Sequence, residues 1–244
     1  MTALSLVAAT LLVGCLIGAV GIGGVLLTPA VVYIAGFDIH VAMATSVFAF
    51  VFTGLAGTVA YARRGSLDWR PGARLAAGAV PGALVGAWMN GLVSSSGLKL
   101  VLAGVLIFTG IYAARGQRRN REGRMPADRV LPALGLWVGF GSALTGTGGP
   151  LVLIPTLMLM SAPALPTVAL SQLAQLPVAA LGTLGFVLYG RPDLGLGAGL
   201  GLTAAIGVAF GAKLAHSLPT RALSRAASLA CVAAGLAIVI ELVV

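Results

Sequence analysis

Gly21-Ile22-Gly23-Gly24, with Pro29 just beyond, and Gly146-Thr147-Gly148-Gly149, with Pro155 just beyond, interrupt two long apolar stretches 125 residues apart. Glycine and proline inside a segment that crosses hydrocarbon free backbone N–H and C=O groups. Such groups persist only where protein or a polar cavity satisfies them. The sequence therefore predicts two broken membrane helices, and a transport site is the leading reason to keep such breaks.

Composition assigns the class. Hydrophobic residues make up 59% of the 244 residues and charged residues 9%, against about 25% charged in a soluble domain. Mean hydropathy is +1.04. The chain reads as an all-α polytopic membrane helical bundle, with room for about six to eight segments of about 20 apolar residues each. Cys15 and Cys231 lie in apolar runs with no His or second Cys at metal-ligand spacing, so both read as small core residues. No Lys or Arg precedes Leu12-Val13-Gly14-Cys15, which argues against a cleaved signal peptide there.

The repeat extends well beyond the glycines. At the same spacing of 125, Gly14 corresponds to Gly139, Ser46 to Ser171, Gly57-Thr58 to Gly182-Thr183, and Gly65 to Gly190. So do Asp68 and Asp193, Gly72-Ala73 and Gly197-Ala198, Gly82 and Gly207, and Gly86 and Gly211. Pro29 and Pro155 are 126 apart, so the second half carries one extra residue just after its glycines. Two homologous halves follow, 1–115 and 130–244, joined by a basic linker over 116–129.

Each half holds four apolar segments: 3–35, 40–62, 73–93 and 97–115, then 130–160, 165–189, 194–215 and 222–243. The first of each set is too long for one crossing of about 20 residues and short for two crossings with a turn. A tilted broken helix and a re-entrant hairpin of two half-helices both fit. Loop charges arbitrate. Full crossings would divide the fifteen Lys and Arg residues eleven to four between the two sides, whereas re-entrant hairpins divide them thirteen to two. The positive-inside rule prefers the hairpins. With three crossings and one hairpin per half, the second half is expected upside down relative to the first. That is the inverted-repeat plan of many secondary transporters, with binding near the midplane where discontinuous helices meet.

The net charge of +9 has the same explanation, because every Lys and Arg lies at or near the end of an apolar run. It reads as membrane topology, with lipid headgroup contact as an addition, rather than as a nucleic-acid surface.

The glycine cluster and proline near the start of each half, Ala44-Thr45-Ser46 opening the next helix, the basic central loop and the total length resemble the TauE/SafE sulfite exporter family. The resemblance covers nearly the whole chain and departs at Val25, where many relatives have a third glycine, and at Pro150. It implies transport of a sulfur-containing anion of the sulfite, sulfonate or sulfoacetate class across the bacterial cytoplasmic membrane.

The residues themselves are compatible with an anion site. A half-helix starting near the midplane exposes unpaired N–H groups and the positive end of its dipole, and glycine lets an oxyanion approach them. Gly21, Gly23, Gly24, Gly146, Gly148 and Gly149 would form two such cradles. Thr28, Thr45, Ser46, Thr147, Ser171, Gln172 and Gln175 would add neutral donors. Gln172 and Gln175 are the most informative, since two primary amides one turn apart in an apolar run cost free energy unless partnered. Plainer roles stand beside these. Membrane glycines also serve close packing, Thr58 and Thr183 read as hydroxyls bonded one turn back, and Asp68 and Asp193 as turn or cap residues. Trp69, Trp88 and Trp137 read as interfacial anchors, and a proton-relay role for His40 or His216 lacks a partner residue.

No Asp, Glu, Lys or Arg falls at the middle of a predicted crossing, where proton-coupled pumps commonly keep one. No nucleophile and base pair and no metal-ligand set accompanies the breaks, so an enzyme is not expected, and neither is a cofactor. The glycines around Gly21 match a dinucleotide loop only weakly, with no strand before them. Expected partners are a small anionic substrate, the lipid bilayer and, optionally, a second copy of the chain, but no nucleic acid. The reading is a multi-pass secondary transporter, more an exporter than an importer. The alternatives are a transporter of a different small anion and a non-transporting scaffold or accessory subunit.

Overall fold

The computed structural model describes residues 2–21, 23–116, 125–160, 162–189, 191–217 and 220–243, and no strand occurs among them. The first half forms α1 (Thr2–Val20), a 3-10 turn (Gly23–Leu26) running into α2 (Leu27–Ala35), α3 (Ile39–Ala62), α4 (Trp69–Leu92) and α5 (Ser95–Gly116). The second forms α6 (Leu131–Thr145), α7 (Pro150–Leu159), α8 (Ala164–Tyr189), α9 (Leu194–Ser217) and α10 (Thr220–Val243). Among the described residues, α3, α4, α5, α8 and α9 contain stretches long and apolar enough to cross a membrane. Ile22, Gly190 and most of the linker expected over 116–129 lie outside the described residues, as does the His216 side chain.

The first segment of each half is two helices, as the glycines predicted. Gly21 ends α1 with φ +79°, and Gly146 ends α6 with φ +64°, a left-handed backbone that costs any residue with a side chain about 1–2 kcal/mol. The Gly21 N–H closes onto Leu16 O (3.2 Å) and Ile17 O (2.9 Å). Beyond each break the chain doubles back. A methyl group on Gly23 would lie 2.6 Å from Val13 O, although ten residues of continuous helix would separate the two by about 15 Å. In the second half a methyl on Gly141 would lie 3.4 Å from Val152 Cγ2 across the α6–α7 turn. Pro29 falls in the first turn of α2, where proline disturbs fewest helical hydrogen bonds.

Contact register gives the direction of each helix. A methyl on Gly14 or Gly18 would meet Ala204 O or Val208 O at 2.2 Å, so α1 and α9 run parallel. Gly78, Gly82 and Gly86 press in the same way on Pro132, Leu136 and Phe140, so α4 and α6 run parallel. The two crossings repeat one another: Gly82 approaches Leu136 O and Phe140 N, and Gly207 approaches Leu11 O and Cys15 N, the same pairs with the halves exchanged at the spacing of 125. Small residues bring helix backbones into contact where lipid supplies no hydrophobic drive. Many of the repeated glycines are therefore packing points, and each half docks a crossing helix on the hairpin of the other.

The equivalent helices α3 and α8 cross at the centre in opposite directions, because Gly57 meets Gln172, Gly54 meets Gln175 and Val47 meets Gly182. The pair α5 and α10 is likewise antiparallel. Gly235 sits against Ala103 and Ile107, and Lys99 Nζ lies 2.7 Å from Glu241 Oε1 nearer the start of α5. The Glu241 carboxylate also accepts the Tyr33 hydroxyl from the end of α2. Trp69, Trp88 and Trp137 are on the outside, 57%, 49% and 60% exposed, where interfacial anchors belong.

Candidate functional site at the hairpin tips

Both hairpin tips end at the centre of the bundle and touch. The Thr28 hydroxyl, in the first turn of α2, donates to Gly146 O (3.1 Å) at the end of α6. A methyl on Gly24 would lie 3.2 Å from Thr147 O. Gly21, Gly23, Gly24, Gly146, Thr147, Gly148 and Gly149 are all buried.

Helices α3 and α8 close the space around the tips. The Phe50 ring, fully buried, packs on both Gly24 and Gly148. A methyl on Gly149 would lie 3.6 Å from Gln175 Cα. Phe50 and Gln175 occupy equivalent places in the repeat, and Gln175 Nε2 donates to Phe50 O (3.0 Å) and to Thr53 Oγ1 (2.6 Å).

Ending a helix inside a bundle strands its last carbonyls, and each unpaired buried group costs about 1–3 kcal/mol. Side chains from crossing helices satisfy them here. The Tyr61 hydroxyl reaches Gly18 O (2.8 Å) at the end of α1, and Gln172 Nε2 adds a second bond (3.3 Å) to Ile17 O, which the Gly21 N–H also takes. Asn90 Nδ2 reaches Leu144 O (2.8 Å) at the end of α6, and Thr28 takes Gly146 O. The tips also hold themselves: the Thr145 and Thr147 hydroxyls lie 2.8 Å apart, and Thr147 N–H closes onto Ser142 O (3.0 Å).

The freed N–H groups are treated differently. Among the described residues, no backbone carbonyl receives the N–H of Gly23, Gly24, Gly148 or Gly149. These groups head the 3-10 turn and α7, the positive ends of two half-helices. Polar atoms are also left over: Ser142 Oγ, Gln172 Oε1 and Gln175 Oε1 by the tips, and Ser46 Oγ on α3, are buried without a partner among the described residues. Because each Gln nitrogen faces a carbonyl, the amide orientations are set and the oxygens stay unpaired.

Of the residues singled out from the sequence, the structure thus gathers the six glycines, Thr28, Thr147, Gln172 and Gln175 at the tips. Ser171 joins them: its hydroxyl donates to Val168 O (2.7 Å), and it lies 3.6 Å from the place of a methyl on Gly21. Ser46 is buried on α3. Thr45 stands apart, because its hydroxyl accepts the N–H of Asp193 (3.0 Å) from the α8–α9 loop. The expected cap residues are caps: Asp68 accepts from Arg70 N–H (3.2 Å) and Asp193 from Leu196 N–H (2.9 Å). Thr183 bonds to Ala179 O one turn back (2.6 Å), whereas Thr58 Oγ1 has no partner among the described residues.

Phe50, Asn90, Tyr61 and Thr53 escaped the sequence reading. Asn90 carried the same signal as Gln172, a primary amide in an apolar run. Phe50 carried none except its equivalence to Gln175. The assembled groups are neutral donors, neutral acceptors and helix dipoles, an arrangement that can hold a small anion without moving a proton. No group of potential metal ligands occurs among the described residues.

The chain is similar to proteins named as membrane transporters. A "Probable membrane transporter protein" of Xylella fastidiosa (strain 9a5c) is 28% identical over 190 residues, covering 75% of this chain and 72% of the relative. The "Probable membrane transporter protein YdhB" of Bacillus subtilis (strain 168) is 24% identical over 233 residues, covering 92% of this chain and 95% of the relative. YunE of the same organism, also named a probable membrane transporter protein, is 27% identical over 66% of this chain and 67% of its own length. No solved structure matches. The profile of the sulfite exporter TauE/SafE family matches residues 6–238, and the chain, a multi-pass membrane protein of transporter type, belongs to that family.

Proposed function

We propose that this chain is an inverted-repeat secondary transporter that moves a small sulfur-containing anion, of the sulfite, sulfonate or sulfoacetate class, out across the bacterial cytoplasmic membrane. The observation that carries the proposal is the meeting of two helix breaks at the bundle centre with the N–H groups of Gly23, Gly24, Gly148 and Gly149 unclaimed by backbone carbonyls. Anions are stabilised at helix N-termini by such donors together with the dipole. The opposed directions of α3 and α8 support the inverted arrangement, and the family supports the cargo class. The Phe50 ring fills the space between Gly24 and Gly148, so cargo binding requires that ring to swing aside, with the cargo favouring the displaced state.

Flux in proteoliposomes tests the proposal, with sulfite, sulfonates, sulfoacetate and inorganic anions offered with and without a proton gradient. Saturable transport of at least one sulfur oxyanion is expected. Gly23→Leu and Gly148→Leu variants that fold and yet transport at the normal rate would refute the glycine cradle. A folded, monodisperse protein that moves no anion of the panel would point instead to an accessory subunit.

A further inference from the structure

The elements that surround the site limit the charge of what it can hold. The first hairpin (1–37), α3 (Ile39–Ala62) and the stretch 130–190, which contains the second hairpin and α8, have no Lys, Arg, Asp or Glu in their sequence. Their one histidine, His40, lies at the start of α3, where its N–H is taken by the Asp38 cap. The helices packed outside keep their charges toward their ends: Arg70 and Arg74 early in α4, Lys213 late in α9. Arg64, just past α3, sends its guanidinium to Ala212 O on α9, and Lys99 of α5 pairs with Glu241 of α10. The side chains bordering the glycines are apolar. A methyl on Gly21 would lie 2.2 Å from Ile154 Cδ1 and one on Gly146 2.7 Å from Met43 Cβ, and the Phe50 ring packs on Gly24 and Gly148.

An ion entering such a place loses hydration, and that loss grows with the square of its charge. Its attraction to neutral N–H groups and helix dipoles grows only in proportion to the charge. With no fixed cation on these elements to offset a second charge, the balance that holds one charge turns against two. Gln175 adds a separate constraint. It is 1% exposed and stands against Gly149, its Nε2 is held by Phe50 O and Thr53 Oγ1, and its Oε1 has no partner among the described residues. An open acceptor thus accompanies the open donors. We infer that the cargo is a monoanion, and that sulfite is carried as hydrogensulfite, which has one charge and one proton to donate. Doubly charged sulfite and sulfoacetate are refused. Each hydrogensulfite brings its own proton, so proton movement needs no titratable side chain at the site. The inference rests on the transport reading of this site and narrows its cargo.

Flux in proteoliposomes decides it, with sulfite, methanesulfonate and sulfoacetate offered on both sides of neutral pH and protein-free liposomes as the blank. Methanesulfonate keeps one charge throughout, so its rate reports any titration of the protein itself. Relative to it, the rate at fixed total sulfite should fall about tenfold per pH unit above the second ionisation of the cargo, as the hydrogensulfite fraction does. Sulfoacetate, with both acid groups ionised, should move about a hundredfold more slowly than methanesulfonate. A sulfite rate that follows total sulfite or rises with pH would overturn the inference. So would sulfoacetate moving as fast as methanesulfonate or, if methanesulfonate is refused, as fast as sulfite. A folded protein that moves none of the three would instead overturn the transport reading on which the inference stands.

Discussion

Gly148→Ala tests most directly whether the hairpin tips and the central helices fit as described. Gly148 has φ +79°, so any side chain costs about 1–2 kcal/mol of backbone strain. The added methyl would also lie 2.4 Å from Phe50 Cδ2 and 2.7 Å from Phe50 Cγ. That ring is fully buried and is met at Cγ and Cδ2, the side nearest its own backbone, so overpacking in the resting packing adds about 1–3 kcal/mol. The sum is a loss of about 2–5 kcal/mol in folding stability. Trimming the ring separates the two contributions: in the Phe50→Leu background the steric part should shrink while the backbone part remains. A double-mutant cycle should then show favourable coupling of about 1–2 kcal/mol, as contacting residues do. Equilibrium unfolding in mixed micelles reads the stabilities, and flux reads the site. A Gly148→Ala protein within about 0.5 kcal/mol of the parent, the range of a neutral surface change, would refute the packing described. So would a Phe50→Leu background that relieves nothing.

Other consequences follow from the same geometry. Asn90→Ala should strip Leu144 O of its partner and destabilise the protein by about 1–3 kcal/mol, read by the same unfolding measurement. At Gly104 and Gly199 an added methyl would meet nothing within 4 Å, so Gly104→Ala and Gly199→Ala should be neutral or stabilising by up to about 1 kcal/mol. Gly14→Leu and its equivalent Gly139→Leu should both be strongly destabilising and to a similar degree, because each side chain would enter a helix backbone at 2.2 Å, Ala204 O or Ala79 O. Single cysteines replacing Ser94 and Ser217, in a background lacking Cys15 and Cys231, should label from opposite faces of the membrane; labelling from one face would restore fully crossing first segments.

Much of the architecture was legible in the residues. A run from Met1 to Phe37 without a charge, broken by Gly21-Ile22-Gly23-Gly24, leaves few options in a solvent that cannot hydrogen-bond, and the repeat at 125 applies them to both halves. Asp68 and Asp193 were readable as caps because capping is local. The two Gln side chains announced a need for partners, since an amide in oil must be satisfied wherever it sits. Only the tertiary structure decided which partners they took: Gln172 reaches Ile17 O near the end of α1 across 155 residues of sequence, and Gln175 reaches its own repeat equivalent, Phe50. The same holds for Thr45, whose hydroxyl suggested a ligand and whose position makes it a latch to Asp193, and for Phe50, an ordinary apolar residue until its ring lies between two glycines. Hydrophobicity, glycine and charge act along the chain and can be read there; which backbone meets which side chain depends on how helices from opposite halves interlock, and that is a property of the packed bundle.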